Sequence, residues 1–225
     1  MADIEMILSN PHRRNIPRLS ALMLVAWLSG CQVAGGRGAA ELTPVLPQPV
    51  SAFALQQGSA TQWNADYAVT AGHIPSVNGT AYRCSSKCDL VFFPHPVTGA
   101  VPSWRQPRTG EHLTAIGVTP GNVIQTSSGT ARRTRLDISD DSSGVLYGIH
   151  DGPVVRGMSG GPVYGEDGSI VGMTIGFIPN TAPLKQTSPE LKAVERISIY
   201  LPYAEIQNEW LRFQRQQHAD GLADF

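Results

Sequence analysis

The sequence has few of the features that define several large functional classes. It has only three cysteines among 225 residues, and its net charge of −1 is close to zero. That charge gives no reason to expect a general affinity for nucleic acid or anionic membranes. The sequence contains no phosphate-binding loop and no dinucleotide fingerprint. Cys84 and Cys88 have no second Cys/His pair at metal spacing. We therefore expect no cofactor, no metal and no nucleic-acid partner.

Long apolar runs are also missing. The longest, Ala21–Leu28, is far below the roughly 20 residues that a membrane-spanning helix needs. Three arginines precede this run and two small residues follow it, which is the order of a secretory signal peptide. We therefore predict that residues 1–30 are a signal peptide, with a buried helix as the alternative reading.

The end of this segment carries a more specific signal. Leu28-Ser29-Gly30-Cys31 resembles the bacterial lipoprotein box, whose cysteine is acylated, for example with palmitate, and becomes the mature N-terminus. Each buried CH₂ contributes about 0.8 kcal/mol, so two or more chains anchor a protein firmly. The resemblance implies a membrane anchor at Cys31. Gln32 resembles the residue that directs lipoproteins to the outer membrane, facing the periplasm or the cell surface. Residues 31–50, with several glycines and prolines, predict a flexible tether.

The remaining chain is rich in turn residues. The whole sequence has 23 glycines and 17 prolines, which suits many short strands joined by tight turns. Short apolar runs predict strands at 59–63, 67–70, 82–84, 88–93, 111–117, 121–127, 144–149, 162–164, 169–177 and 196–201. Apolar residues at helical spacing predict one amphipathic helix over residues 202–216. We expect residues 217–225 to be a disordered tail.

Two local features have alternative readings. Cys84 and Cys88 flank a three-residue turn, so they form either a disulfide across a hairpin or half of a metal site. In an oxidising compartment the disulfide is the better reading, and so short a loop would add local stiffness more than stability. The cluster of Arg132, Arg133 and Arg135 is either a solvated face or a site for an acidic partner.

The strongest chemical motif is Gly-Met-Ser-Gly-Gly-Pro at residues 157–162. A nucleophilic serine needs an exposed hydroxyl on a tight turn, with backbone N–H groups nearby to hold the oxyanion. Glycines on both sides of Ser159 permit that turn. We predict Ser159 as the nucleophile and the N–H groups of Gly157 and Ser159 as the oxyanion hole. An ordinary glycine-rich turn is the alternative.

Two further motifs supply a base and its partner. An apolar strand ends in Thr-Ala-Gly-His at residues 70–73, which predicts His73 as the general base. Asp89 opens a second apolar strand, where its carboxylate could be buried beside the imidazole and orient it. An aspartate at the end of a hairpin is also common without any catalytic role. The rival carboxylates are Asp66, Asp137, Asp140, Asp141 and Asp151.

Together, the three motifs resemble the chymotrypsin-like (trypsin-like) serine proteases, in the chain order His, Asp, Ser, over residues 51–216. The resemblance implies an all-β fold of two antiparallel six-stranded β-barrels with a C-terminal α-helix. The first barrel would hold His73 and Asp89 and the second Ser159. It also implies a serine-type endopeptidase that hydrolyses protein or peptide substrates through an acyl-enzyme. Here the chain would be a lipoprotein-type bacterial member, which we expect to be a monomer.

The sequence departs from the family pattern at several points. Only 16 positions separate His73 from Asp89, so the first barrel must be trimmed. Met158 stands where zymogen-activated members have Asp, so activation by N-terminal insertion is not expected. Pro153 stands where trypsin-type enzymes carry the Asp that selects Arg and Lys, which implies a small or apolar P1 pocket. The pocket residues implied by the resemblance are Pro153, Val154, Thr174, Ile175 and Gly176.

Two rival functions remain. A catalytically inactive trypsin-fold lipoprotein could act as an envelope binding module, because a fold does not guarantee activity. Such a module has no physical need for His73, Asp89 and Ser159 together. An esterase of the α/β-hydrolase class would need a helix after its nucleophile. The residues after Ser159 instead predict a strand.

Overall fold

Strands are the main regular structure, as the alternation of apolar runs and turn residues predicts. This computed structural model describes residues 46–48, 58–75, 77, 79–85, 88–119, 123–138 and 144–223, all of which belong to one unit, residues 33–225. The predicted signal peptide and Cys31 lie outside the described residues. Among the described helices, none is both long and apolar enough to cross a membrane.

The strands within these ranges follow the predicted order. They are β1 (Leu46–Gln48), β2 (Gly58–Gln62), β3 (Tyr67–Thr70), β4 (Tyr82–Arg83), β5 (Val91–Pro94), β6 (His112–Thr119), β7 (Val123–Leu136), β8 (Tyr147–His150), β9 (Pro162–Tyr164), β10 (Ile170–Ile178) and β11 (Ile197–Pro202). Two short helical segments that the sequence did not predict lie between β10 and β11: α1 (Ala182–Thr187) and a 3₁₀ turn (Pro189–Leu191). The C-terminal helix is α2 (Tyr203–Ala223).

The second half of the chain forms a closed barrel in the strand order β10-β11-β8-β7-β6-β9. All neighbouring strands in it are antiparallel. Tyr200 is fully buried inside the barrel. A Cβ at Gly148 would lie 2.2 Å from the Tyr200 ring, and one at Gly172 would lie 2.5 Å from it. Both positions therefore require glycine to admit the ring.

The first half of the chain forms a five-stranded sheet in the order β1-β2-β3-β5-β4. The second closed barrel implied by the resemblance is not confirmed within the described residues. The short stretch between His73 and Asp89 accounts for the difference, because it leaves room only for the two-residue strand β4. β1 pairs with β2 through Leu46, Pro47 and Gln48, so the end of the predicted tether 31–50 belongs to the sheet.

An aromatic cluster joins α2 to the sheet. Trp210 packs against Phe92 with ring centroids 5.2 Å apart, and Phe213 packs against Tyr82 at 5.1 Å. The predicted helix 202–216 is confirmed, but it continues to Ala223. The prediction of a disordered tail was therefore wrong for residues 217–223. Most of these residues are good helix formers, and no proline interrupts them, so the helix propagates beyond its apolar stripe.

The basic cluster lies on β7, which extends well beyond the predicted strand 121–127. Arg132 forms an ion pair with Asp151, and Nη1 of Arg135 donates to the hydroxyl of Tyr200 at 3.2 Å. Arg133 is exposed. Two of the three arginines therefore support the barrel itself, which favours the structural reading of this cluster.

Candidate active site

His73 and Asp89 are in direct contact. Nδ1 of His73 lies 2.5 Å from Oδ2 of Asp89, and the backbone N–H of His73 donates to Oδ1 at 2.6 Å. One carboxylate thus holds both the ring and the backbone of the same residue. The side chain of His73 is 50% exposed and that of Asp89 is 22% exposed, so the imidazole faces solvent while its partner is partly enclosed.

This contact changes the acid–base behaviour of the imidazole. The hydrogen bond to Asp89 raises the pKa of His73 above its ordinary value of 6.5, and the charge of Asp89 adds to the effect, while burial opposes it. Because Nδ1 faces the carboxylate, Nε2 is the nitrogen left to accept a proton from a substrate-side group. His73 and Asp89 therefore have the arrangement of a general base and the carboxylate that orients it.

The loop that carries Asp89 is supported from two sides. Cys88, its neighbour, is joined to Cys84 by a disulfide, as the sequence predicts for an oxidising compartment. From the barrel, Tyr147 of β8 places its hydroxyl 3.0 Å from the backbone N–H of Asp89, which donates to it. Tyr147 is almost fully buried. The position of Asp89 thus depends on both halves of the protein.

Arg83 approaches the same pair from β4. Its Nη1 donates to the carbonyl of Gly72 at 2.7 Å, and Gly72 directly precedes His73. The position that a Cβ on Gly72 would occupy is 3.2 Å from Nη1 of Arg83 and 3.0 Å from Oδ1 of Asp89. The guanidinium and the carboxylate therefore flank one backbone position.

The turn that carries Ser159 needs glycine on both sides. Gly157 has φ 92° and Gly160 has φ 84°, both in the region that favours glycine. A Cβ on Gly160 would also lie 2.0 Å from the carbonyl oxygen of Ser59 and 2.3 Å from Oγ1 of Thr70. The turn therefore packs directly against β2 and against the end of β3, the strand that leads to His73.

Strand β2 holds this turn with three hydrogen bonds. The backbone N–H of Ser59 donates to the carbonyl of Ser159 at 2.8 Å, and its Oγ donates to the carbonyl of Gly157 at 3.0 Å. Oγ1 of Thr61 donates to the carbonyl of Gly160 at 2.9 Å. The first sheet therefore fixes the backbone of the serine turn, which belongs to the barrel half of the chain.

The hydroxyl of Ser159 points at a backbone carbonyl in this conformation. Its Oγ donates to the carbonyl of Ile175 at 2.9 Å and makes no hydrogen bond to His73 among the described residues. Within the same part of the chain, the backbone N–H groups of Gly157 and Ser159 have no hydrogen-bond acceptor. Two free donors next to a hydroxyl are what an oxyanion site requires. Rotation of the Ser159 side chain would release its hydroxyl from the Ile175 carbonyl.

Two of the predicted pocket residues, Thr174 and Ile175, bond the serine turn directly. Thr174 is fully buried, and its carbonyl and N–H pair with Gly160 and Gly161 at 2.8 Å each. Val154 is also buried, and Ile175 accepts the Ser159 hydroxyl. The remaining two, Pro153 and Gly176, are partly exposed. Gly176 has open space around its Cβ position, so β10 is open to the outside there.

One described group of side chains has ligand atoms close enough to hold a metal. Cys84, Cys88 and Glu209 bring such atoms within 4.8 Å of one another. However, the two sulfurs form a disulfide, which is not a thiolate ligand. Oε2 of Glu209 instead accepts hydrogen bonds from the hydroxyl of Tyr82 at 2.9 Å and the N–H of Ser85 at 3.1 Å. This buried carboxylate therefore ties α2 to the disulfide loop.

Sequence reasoning missed the residues that support the site. Ser59 and Thr61 lie about a hundred positions before the turn they hold, and Tyr147 lies 58 positions after Asp89. None of them stands in a recognisable motif. Arg83 was also missed, although it lies in the predicted strand 82–84 beside the catalytic candidates. Only its closeness to both motifs along the chain could have drawn attention to it.

Comparison with known proteins finds solved structures of similar fold. No family model matches the sequence, and no curated protein matches it. Among solved structures, the inactive form of the Rv3671c protease, a protein of M. tuberculosis, matches with a TM-score of 0.55 at 14% identity, over 75% of this chain and 86% of that one. A serine endoprotease from Yersinia pestis matches with a TM-score of 0.54 at 18% identity, over 76% and 61%. An HtrA-type protease with a tripeptide matches with a TM-score of 0.55 at 15% identity, over 68% and 54%. At these identities the likeness shows the fold, which is mostly β with one closed six-stranded barrel and a C-terminal helix, like that of trypsin-like and HtrA-type serine proteases.

Proposed function

We propose that the protein is a serine endopeptidase that hydrolyses peptide bonds through an acyl-enzyme. Ser159 attacks the carbonyl carbon, and His73 takes the hydroxyl proton and returns it to the leaving amine. Asp89 orients the imidazole and stabilises its charged form. The N–H groups of Gly157 and Ser159 hold the oxyanion. Water then attacks the acyl-enzyme in the same way, with His73 again as the base, and releases the carboxylic acid product and the Ser159 hydroxyl.

The observation that carries this proposal is the contact between His73 and Asp89. A carboxylate that bonds both the ring and the backbone of one histidine fixes the tautomer in which Nε2 is the free base. A surface histidine without a catalytic role has no need of such a constraint. The free N–H groups beside Ser159 add the second component of the same chemistry.

The proposal is tested with a fluorophosphonate probe and a protein substrate. We expect the wild type to be labelled at Ser159 and to cleave casein, and the Ser159→Ala variant to do neither. Ser103→Ala, which removes an exposed hydroxyl far along the chain from these motifs, is the matched control and should behave as wild type. Undiminished proteolysis by Ser159→Ala would overturn the mechanism. A folded wild type that neither reacts with the probe nor cleaves any peptide would favour the binding module instead.

We also propose that the enzyme does not require a basic residue at P1. Pro153 supplies no carboxylate at the pocket position where trypsin-type enzymes have one, and Val154 is apolar and buried. A small or apolar P1 side chain fits this lining. Digestion of a peptide library should therefore show cleavage after small or apolar residues, whereas strict cleavage after Arg or Lys would contradict the proposal.

Finally, we propose that Cys31 carries the lipid that places the enzyme in the bacterial cell envelope. The support is the sequence Leu28-Ser29-Gly30-Cys31 and the apolar run before it. Expression with an alkyne-tagged palmitate should label the wild type and leave Cys31→Ala unlabelled. The wild type should also partition into detergent. Equal labelling of both proteins would exclude an anchor at this residue.

A further inference from the structure

Arg83 makes a contact that core packing does not explain. The residue is exposed, yet its guanidinium donates to the carbonyl of Gly72 at 2.7 Å. Within the described residues this is the hydrogen bond that holds the Arg83 side chain in place. An exposed arginine can point freely into water and gains little from one neutral acceptor. Its contact with the residue before His73 therefore bears on how the backbone of His73 is held.

The carboxylate that binds His73 acts on the same peptide bond as Arg83. Nη1 of Arg83 and Oδ1 of Asp89 both lie within 3.2 Å of the position that a Cβ on Gly72 would take. Oδ1 is the oxygen that accepts a hydrogen bond from the backbone N–H of His73. The guanidinium and the carboxylate therefore hold the two polar groups of one peptide bond: Arg83 binds the carbonyl of Gly72, and Asp89 binds the N–H of His73.

The other charged and titratable groups around this site contact Asp89 or Tyr147 instead of Gly72. Asp89 bonds His73 directly, and the hydroxyl of Tyr147 reaches Asp89 from the barrel side. The carboxylates of Asp137 and Glu205 act on Tyr147. Among the described side chains that hydrogen-bond Gly72, His73 or Asp89, Arg83 is thus the one that carries a positive charge. A cation there opposes protonation of the imidazole, while Asp89 favours it.

We propose that Arg83 is a positioning residue for the proposed active site: its guanidinium holds the Gly72 carbonyl, and with it the backbone from which His73 projects, while Asp89 holds the N–H of the same peptide bond. This inference rests on the proposed function of His73 and Asp89. Without Arg83, the peptide bond that leads into His73 is held through its N–H only, and a positive charge near the imidazole is lost.

The test compares Arg83→Gln with Arg83→Lys, and uses Arg215→Gln as a control that removes an equally exposed charge from α2. Two readouts are measured: the pH dependence of kcat and KM, and the titration of the His73 ring by NMR, assigned with His73→Gln. We expect Arg83→Gln to raise the pKa of His73 by about 0.3 to 0.6 pH unit, the size expected for a water-screened charge. It should also lower kcat about 3- to 10-fold with KM unchanged, as for a misplaced base.

Arg83→Lys should keep the wild-type pKa of His73 but lose part of kcat, because a lysine retains the charge without the planar donor geometry. Arg215→Gln should match the wild type in both readouts. A His73 pKa and a kcat in Arg83→Gln that equal those of Arg215→Gln would overturn the inference. The NMR titration does not depend on turnover, so it decides the role of Arg83 even if the fluorophosphonate test rejects the proposed function.

Discussion

The hydroxyl of Tyr147 accepts a hydrogen bond from the backbone N–H of Asp89 at 3.0 Å. Tyr147 belongs to β8 of the closed barrel, and Asp89 lies just before β5 of the first sheet. Burial raises the pKa of Tyr147, so its hydroxyl stays protonated over the ordinary pH range. The partner of the proposed general base is therefore positioned by the half of the protein that carries the nucleophile.

We predict that Tyr147→Phe lowers activity more than it lowers stability. The ring still fills its place in the core, so only one hydrogen bond is lost, at a cost of about 1 kcal/mol in the free energy of unfolding. The Asp89 loop loses a support, so kcat should fall about 10-fold because a small misplacement of a catalytic group is costly. Urea unfolding and peptide hydrolysis measure the two effects. A loss of activity no larger than the unfolding data explain would contradict the prediction.

The pH dependence follows from the hydrogen bond between Asp89 and His73. Because this bond raises the pKa of His73, kcat/KM should rise with pH through a value above 6.5, since the base must be neutral. In Asp89→Asn the apparent pKa should fall, and the rate should drop by roughly 10⁴-fold because the wrong tautomer is favoured. The linked stability has the opposite sense: it is fully present below pH 6.5 and is lost as pH rises through the folded pKa of His73. A pH–rate profile with its acid limb below 6.5 would contradict this account.

The backbone at Gly160 allows a sharper comparison. Gly160→Ala would place a Cβ 2.0 Å from the Ser59 carbonyl oxygen, at φ 84°. Gly110 has nearly the same φ, 83°, with nothing within 4 Å of its Cβ position. Gly110→Ala should therefore cost only the backbone strain, on the order of 1 kcal/mol. Gly160→Ala should cost several kcal/mol more and abolish fluorophosphonate labelling, because it moves the turn away from β2. Equal unfolding free energies for the two variants would contradict the packing described here.

The disulfide between Cys84 and Cys88 should matter more for activity than for stability. So short a loop contributes about 2 kcal/mol or less by chain entropy. However, Cys88 directly precedes Asp89, and Glu209 holds the same loop from α2. The double variant Cys84→Ser/Cys88→Ser should therefore stay folded and lose activity in proportion to the disorder of the Asp89 loop. Full activity of this variant, measured beside the wild type under the same oxidising conditions, would show that the disulfide does not position Asp89.

Local patterns in the sequence predicted most of the strands, and they also named the candidate site residues. β3 and β9 coincide with their predicted bounds, because a turn residue closes each apolar run. The prediction of β7 stopped short because its second half, with Ser128, Thr130 and Arg132, has no apolar alternation. Its pairing with β6 and β8 makes it a strand, and that is a tertiary effect.

The contacts that position the site could not be predicted in this way. The hydrogen bonds from Ser59 to the serine turn and from Asp89 to Tyr147 join residues far apart along the chain, and no spacing rule connects them. The orientation of the Ser159 hydroxyl toward Ile175 is likewise a property of the folded turn. Sequence motifs thus named the candidate catalytic residues, while the contacts that position them required the fold.

The most direct test of the central claim is a crystal structure of the protein after reaction with a fluorophosphonate. We expect phosphorus on Oγ of Ser159, with that oxygen no longer bonded to the Ile175 carbonyl. A phosphoryl oxygen should lie about 2.7–3.1 Å from the N–H groups of Gly157 and Ser159. Nε2 of His73 should lie within about 3.2 Å of the adduct. An adduct on another residue, or an imidazole turned away from Ser159, would contradict the account.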